Sequence, residues 1–130
     1  MKIAIATRNF KTLAGHAGKT RHWLIYDFDT PRAADALPEP TRLTLKKEQT
    51  FHYIPDGEPH PLDGVDMLLT GSAGEGFIRR MKLRGGEVLL TGERDPENAL
   101  RLLIAGEAQP EPRFDPSTAL CRLRDLFSKH

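Results

Sequence analysis

Two stretches of this 130-residue chain carry groups that could do chemistry, and the first surrounds His16. His16 lies among small residues between Gly15 and Gly18, and a neutral imidazole is the commonest metal ligand. Residues 1–22 contain no acidic residue, whereas their basic residues are Lys2, Arg8, Lys11, Lys19 and Arg21. This segment predicts a basic surface for a small anion, although a solvated loop with an ordinary surface histidine would show the same pattern.

The second stretch is a glycine-rich loop, Gly71–Gly76, between the apolar run Val65–Thr70 and residues at helical spacing. Backbone N–H groups that open a helix can hold an anion, but a tight strand-to-helix turn needs glycine for steric reasons alone. The spacing matches neither the dinucleotide fingerprint nor the phosphate-binding loop of nucleotide hydrolases. The loop therefore offers these candidate anion contacts: Gly71, Ser72, Gly74 and Gly76.

Two further histidines lie in the proline-rich segment Gln49–Gly64, which we expect to be an ordered or semi-ordered loop. His52 and His60 could add metal ligands to His16, but their spacing is no recognised metal-binding motif. His22, at the start of a strand, and Cys121, in a predicted helix, are expected to be structural.

The elements that must position these residues follow from hydrophobic periodicity and capping signals. Asp95 is a helix cap followed by Pro96, and Gly106 lies just past the end of the same helix. Helices are predicted over residues 77–84, 96–105 and 117–129. Strands are predicted at Lys2–Thr7, Trp23–Phe28, Thr41–Lys46, Val65–Thr70 and Glu87–Thr91.

The order of these elements predicts an α/β fold of the ribonuclease-H-like class. The first three strands form an antiparallel meander, and the fourth and fifth flank a right-handed parallel crossover. A five-stranded mixed sheet of order 3-2-1-4-5 with flanking helices results. Residues 8–21 and 71–76 then meet at the point where the strand order reverses, which is where open α/β sheets bind ligands. This places His16, Gly18, Lys19 and Arg21 opposite the glycine loop.

Several functional classes are disfavoured. Two-metal nuclease chemistry needs clustered carboxylates, and Lys2–Thr7 has none, so we expect no enzyme. A net charge of +1 argues against a nucleic-acid binder, and no apolar run is long enough for a membrane span. A single cysteine, Cys121, excludes an internal disulfide, which fits a cytoplasmic protein.

Four segments resemble the dinitrogenase iron–molybdenum cofactor biosynthesis family. Ala6–Asp27 is similar to the family's opening strand, its His-Phe-Gly motif and its aromatic-rich second strand, with His16 at the motif histidine and Ala17 replacing the phenylalanine. Leu68–Phe77 is similar to the family's strand, glycine loop and helix start. Leu83–Val88 and Leu103–Glu107 continue the resemblance.

The resemblance implies a carrier domain over residues 1–107 that binds an iron–sulfur or iron–molybdenum-type cluster, or its precursor, and works with cofactor-assembly proteins. The motif histidine, a proposed cofactor ligand in the family, falls on His16. Residues 108–130 are expected to form a proline-rich linker and a C-terminal helix packed on the same domain. The alternative is a protein-interaction module of the same fold, without a cluster, that uses this helix and a sheet edge.

Overall fold

The computed structural model describes residues 1–28 and 37–110. Its sheet contains β1 (Lys2–Thr7), β2 (His22–Asp27), β3 (Thr41–Thr44), β4 (Met67–Thr70) and β5 (Glu87–Leu90). The α-helices are α1 (Glu75–Leu83) and α2 (Pro96–Ile104), and single 3₁₀ turns occur at Ala17–Lys19 and Lys47–Gln49.

The strand order is β3-β2-β1-β4-β5, which confirms the predicted topology and the predicted α/β class. β2 runs antiparallel to both β1 and β3, whereas β4 runs parallel to both β1 and β5. Ile5 of β1 is paired with Leu24 on one side and Leu69 on the other. The carboxyl ends of β1, β4 and β5 therefore lie at one edge of the sheet.

The sheet separates two apolar layers, because successive side chains of a strand point to opposite faces. Ile3 and Ile5 pack on one face with Ala99 and Leu100 of α2. On the other face, the small side chains of β1 leave room for bulky ones. That layer includes Ala4, Ala6, Trp23, Phe51, Leu68 and Met81 of α1.

The helix ends follow the predicted signals. The Asp95 carboxylate accepts a hydrogen bond from the Glu97 amide at 3.1 Å, and Pro96 occupies the first turn of α2. Gly85 and Gly106 adopt left-handed conformations, with φ of 88° and 73°, just beyond the two helices. α1 begins at Glu75 rather than at the first large apolar residue, so the last residues of the glycine loop belong to the helix start.

Residues 47–65, here called the covering segment, form an ordered layer over α1. Arg80 donates hydrogen bonds to the carbonyls of Phe51 and Ile54, both at 2.9 Å. Arg84 donates to the Glu58 carbonyl at 2.8 Å and to the Asp63 carboxylate at 3.0 Å. Arg80 of α1 and Arg84 at its C-cap therefore fasten the covering segment to α1.

His60 is buried at the centre of this segment. Its Nε2 lies 2.7 Å from the Gln49 carbonyl, and its Nδ1 accepts a hydrogen bond from the Leu62 amide at 2.9 Å. The ring stacks on Phe51 with centroids 4.1 Å apart. Burial lowers the pKa of His60, and the nearby Arg84 acts in the same direction, although the Gln49 carbonyl and Asp63 oppose it.

The predicted helix over residues 117–129 and most of the predicted linker lie outside the described residues. Within the described part of the chain, no helix is long and apolar enough to cross a membrane.

We expect Arg80→Ala to lower the free energy of unfolding by about 1.5–3 kcal/mol, because it removes charged hydrogen bonds to two carbonyls. Arg79, exposed on the same helix, is the matched control, and Arg79→Ala should change stability by less than about 0.5 kcal/mol. Urea unfolding measures both variants. Equal losses of unfolding free energy in the two variants would show that Arg80 does not hold the covering segment in place.

Stability should also fall on mild acidification. Because the pKa of His60 is lowered in the folded state, the unfolded chain binds more protons below about pH 6.5. The stabilisation from neutral His60 is therefore complete above that pH and is lost as the pH falls toward the folded pKa. Urea unfolding between pH 7.5 and 5 should show this loss. The loss should be smaller in His60→Gln. An unaltered pH dependence of stability in His60→Gln would show that another group causes it.

Candidate functional site

The loop after β1, residues 8–21, is here called the first loop, and its anchor is the backbone of Ala14. The Ala14 amide donates to the carbonyl of Ala6 in β1 at 2.7 Å. The Ala14 carbonyl accepts from the Gly71 amide at 2.8 Å and from the Thr70 hydroxyl at 3.4 Å. The first loop is thereby held against the carboxyl end of β4, as the topology predicts.

The turn that opens the first loop is also built by specific contacts. The Asn9 side-chain oxygen accepts hydrogen bonds from the amides of Lys11 and Thr12 at 3.0 and 3.1 Å. Phe10 takes a left-handed conformation with φ of 66°, and its ring lies 4.9 Å from that of His22. A left-handed phenylalanine is uncommon, so the surrounding contacts must hold it.

Gly71 is required by the close approach of the two loops. A Cβ at this position would lie 3.0 Å from the Ala14 oxygen and 3.1 Å from the Gly15 Cα. The next side chain, Ser72, donates its hydroxyl to the Gly15 carbonyl and lies 3.2 Å from Nδ1 of His16. The structure thus brings together three of the predicted site residues: His16, Gly71 and Ser72.

Exposed His16 lies on a ridge between two clefts at this edge of the sheet. The first cleft, of about 430 Å³, is bounded by the first loop, the start of the glycine loop and the connection from β5 to α2. The second cleft, of about 340 Å³, is bounded by the first loop and by Thr7 and His22 at the adjoining strand ends. Predicted residues Lys19 and Arg21 line the second cleft, and Arg8 lines both.

The remaining glycines of the predicted site do not line either of these clefts. Gly18 lies behind the ridge, where its carbonyl accepts the His52 amide at 2.7 Å and its Cα faces Phe77. Gly74 is the N-cap of α1, and Gly76 lies in its first turn. The amide of Gly71, one of the expected anion contacts, donates to the Ala14 carbonyl in this structure, although the residue itself lines the first cleft.

The two additional histidines do not join His16 in these clefts. His60, which could have added a metal ligand, has both ring nitrogens in hydrogen bonds with the backbone of the covering segment. His52 is exposed with its ring edge against Tyr53, and it lines neither cleft. Among residues 1–28 and 37–110, no group of three or more histidine, cysteine and acidic side chains could hold a metal ion.

The connection after β5 also contributes residues to the first cleft, and no prediction from the sequence included them. Glu93 and Arg94 line the first cleft, together with Thr91 and Gly92. The predicted topology already implied this contribution, since a strand parallel to β4 must end at the same edge of the sheet. Glu93 is partly structural: its carboxylate accepts hydrogen bonds from the amides of Arg94 and Asp95 and from the Asn98 side chain, at 3.0, 3.1 and 2.6 Å.

Gly71→Ala should lower the free energy of unfolding by about 1–3 kcal/mol, because its methyl group would push backbone atoms of Ala14 and Gly15. Gly76→Ala is the matched control, since a Cβ there meets nothing within 4 Å and alanine favours the helix. Urea unfolding and hydrogen exchange at the Ala14 amide test this difference. A Gly71→Ala protein as stable as Gly76→Ala would mean that the two loops are not tightly apposed.

Three solved structures share the fold of this chain at low sequence identity. The protein PH0822 is 19% identical with a TM-score of 0.57, over 82% of this chain and 91% of that chain. The protein mj0327 of Methanocaldococcus jannaschii, described as a candidate dinitrogenase, is 14% identical with a TM-score of 0.61, over 82% and 90%. TM1290 of Thermotoga, described as a candidate NifB protein of the DUF35 family, is 13% identical with a TM-score of 0.54, over 88% and 96%.

At these identities the structures establish a common fold and nothing more. No protein of curated function matches the chain significantly. The family model described as dinitrogenase iron–molybdenum cofactor matches residues 1–106, which include the whole described sheet, both α-helices and the two clefts. The chain therefore belongs to the dinitrogenase iron–molybdenum cofactor family.

Proposed function

We propose that this protein is a non-catalytic carrier that binds an anionic iron–sulfur or iron–molybdenum-type cluster, or its precursor, through His16. Membership of a family named for that cofactor supports the class of cargo. The observation that carries the proposal is the position of His16, which is exposed on a ridge that Ala14, Gly71 and Ser72 fix between two clefts.

The contacts of Ser72 favour one tautomer of His16. Since the Ser72 hydroxyl donates to the Gly15 carbonyl, its oxygen can accept a hydrogen bond from Nδ1–H of His16, which lies 3.2 Å away. That tautomer places the imidazole lone pair on Nε2. Metal-binding histidines commonly have their second nitrogen fixed in this way, so the ring is oriented for ligation before the cargo arrives.

The charges near the ridge suit an anionic cargo. Arg8, Lys19, Arg21 and Arg94 line the two clefts, and all four side chains are exposed. Glu93 is the acidic residue of the first cleft, and three N–H groups bind its carboxylate. The balance of charge therefore attracts an anion to the same edge that presents His16.

The ligand set favours a carrier over an enzyme with a resident cofactor. His16 is the imidazole shared by both clefts, and the described residues offer no cluster of three or more metal-binding side chains. A cluster held by one protein ligand and by charge keeps its other metal atoms open to ligands from a second protein. Such a cluster can therefore be transferred to that protein. The partners that this mode of binding requires are cofactor-assembly proteins that load the cluster and accept it.

His16→Ala should lower the affinity for the cluster by roughly 100-fold or more, since loss of an outer partner of a metal ligand already costs about 10–100-fold. The measurement is anaerobic uptake of an isolated cluster, followed by visible absorbance. The matched control is His52→Ala, because His52 is exposed but lines neither cleft.

Equal uptake by the wild-type protein and His16→Ala would remove His16 from the site. A wild-type protein that takes up no cluster, yet binds an assembly protein, would favour the interaction module instead.

A further inference from the structure

Arg8 and Arg94 come from different connections, but the backbone brings them to opposite sides of one dipeptide. The Arg8 amide donates to the Thr12 carbonyl at 2.8 Å. The next amide, that of Leu13, donates to the Arg94 carbonyl at 2.8 Å. The two arginines therefore start from fixed backbone positions on either side of Thr12–Leu13, and both line the first cleft.

Within the described part of the chain, the salt bridges of arginine involve Arg80 and Arg84. The charges of Arg8 and Arg94 are therefore not offset by ion pairs there. The carboxylate of Glu93 also lines the first cleft, but it receives hydrogen bonds from the amides of Arg94 and Asp95 and from the Asn98 side chain. The cleft is thus lined by two arginines and by a carboxylate already engaged at the start of α2.

This combination selects a chemical class of ligand. A guanidinium presents a planar fork of N–H donors that matches the oxygens of a phosphate-like ion two at a time, and two such groups neutralise a dianion. The side chain of Thr12 adds a hydroxyl group to the lining. Sulfide is a weak hydrogen-bond acceptor, so this part of the cleft is better suited to oxygen than to the sulfur of a cluster.

We propose that the first cleft holds a binding site for a tetrahedral oxyanion of the phosphate and molybdate class, between Arg8 and Arg94. The site adjoins His16 but does not require it, so the oxyanion is a second ligand rather than part of the cluster attachment. The cleft, at about 430 Å³, is larger than one such ion, which allows the oxyanion to be free or to belong to a small ester.

The test is titration of the full chain, without cluster, with inorganic phosphate, molybdate or glycerol 3-phosphate at constant ionic strength. Binding is followed by NMR shifts of the Thr12, Leu13 and Arg94 amides. We expect saturable binding, weakened at least about tenfold by either Arg8→Gln or Arg94→Gln, since each removes charged hydrogen bonds. Tighter binding of the ester than of the free ions would identify a phosphorylated small molecule as the source of the oxyanion.

The controls separate this site from general charge attraction and from the cluster site. Arg79→Gln removes an exposed charge from α1 and should leave oxyanion affinity unchanged. His16→Ala should weaken cluster uptake, as predicted above, but retain oxyanion binding, so the two proposals can fail separately. Arg94→Lys keeps the positive charge but loses the planar pair of N–H donors, so its oxyanion affinity should be intermediate. This variant replaces Arg94→Gln in the test if Arg94→Gln is unstable.

Three results would overturn the inference: no saturable shift with any of the three ligands, wild-type affinity in both glutamine variants, or an equal loss in Arg79→Gln.

Discussion

The backbone of Ala14 joins β1, the first loop and the end of β4, and the geometry of the candidate site depends on that junction. Its amide is bound to Ala6, and its carbonyl is bound to Gly71 and Thr70. Because Ala6 and Thr70 belong to the sheet and Gly71 directly follows β4, the residues that follow Ala14 leave the sheet edge in one fixed direction. The ridge at Gly15 and His16 is therefore as well placed as the strands themselves.

Strong local signals allowed much of the fold to be predicted from the sequence. β1 has the predicted bounds, because isoleucine and alanine alternate between two buried faces. α2 has the predicted cap at Asp95 and the predicted glycine after its end. The strand order followed from the handedness of the parallel crossover, and it correctly brought His16 and Ser72 to one edge of the sheet.

The parts that the sequence could not reveal depend on hydrogen bonds between distant backbone groups, which have no residue pattern. Nothing local indicates that the Gly71 amide is bound to the carbonyl of Ala14, fifty-seven positions earlier in the chain. The hydrogen bond from Ser72 to Gly15 spans the same separation. The prolines around His60 indicated an irregular segment but not that its ring nitrogens bind the backbone. Arg94 lines the first cleft but follows β5, whereas the predicted site contained only the loops that follow β1 and β4.

The way in which α1 holds the covering segment has a consequence for how that segment can change. Besides their ion pairs with Asp56 and Asp63, the two arginines bind main-chain oxygens. Arg80 binds those of Phe51 and Ile54 through its Nη atoms, and Arg84 binds that of Glu58. A carbonyl group is the same whatever side chain its residue carries. The exposed positions of the segment, such as Tyr53 and Glu58, can therefore accept new side chains without loss of these attachments. This makes the segment a natural place to introduce a spectroscopic label or a graft while its path over the helix is kept.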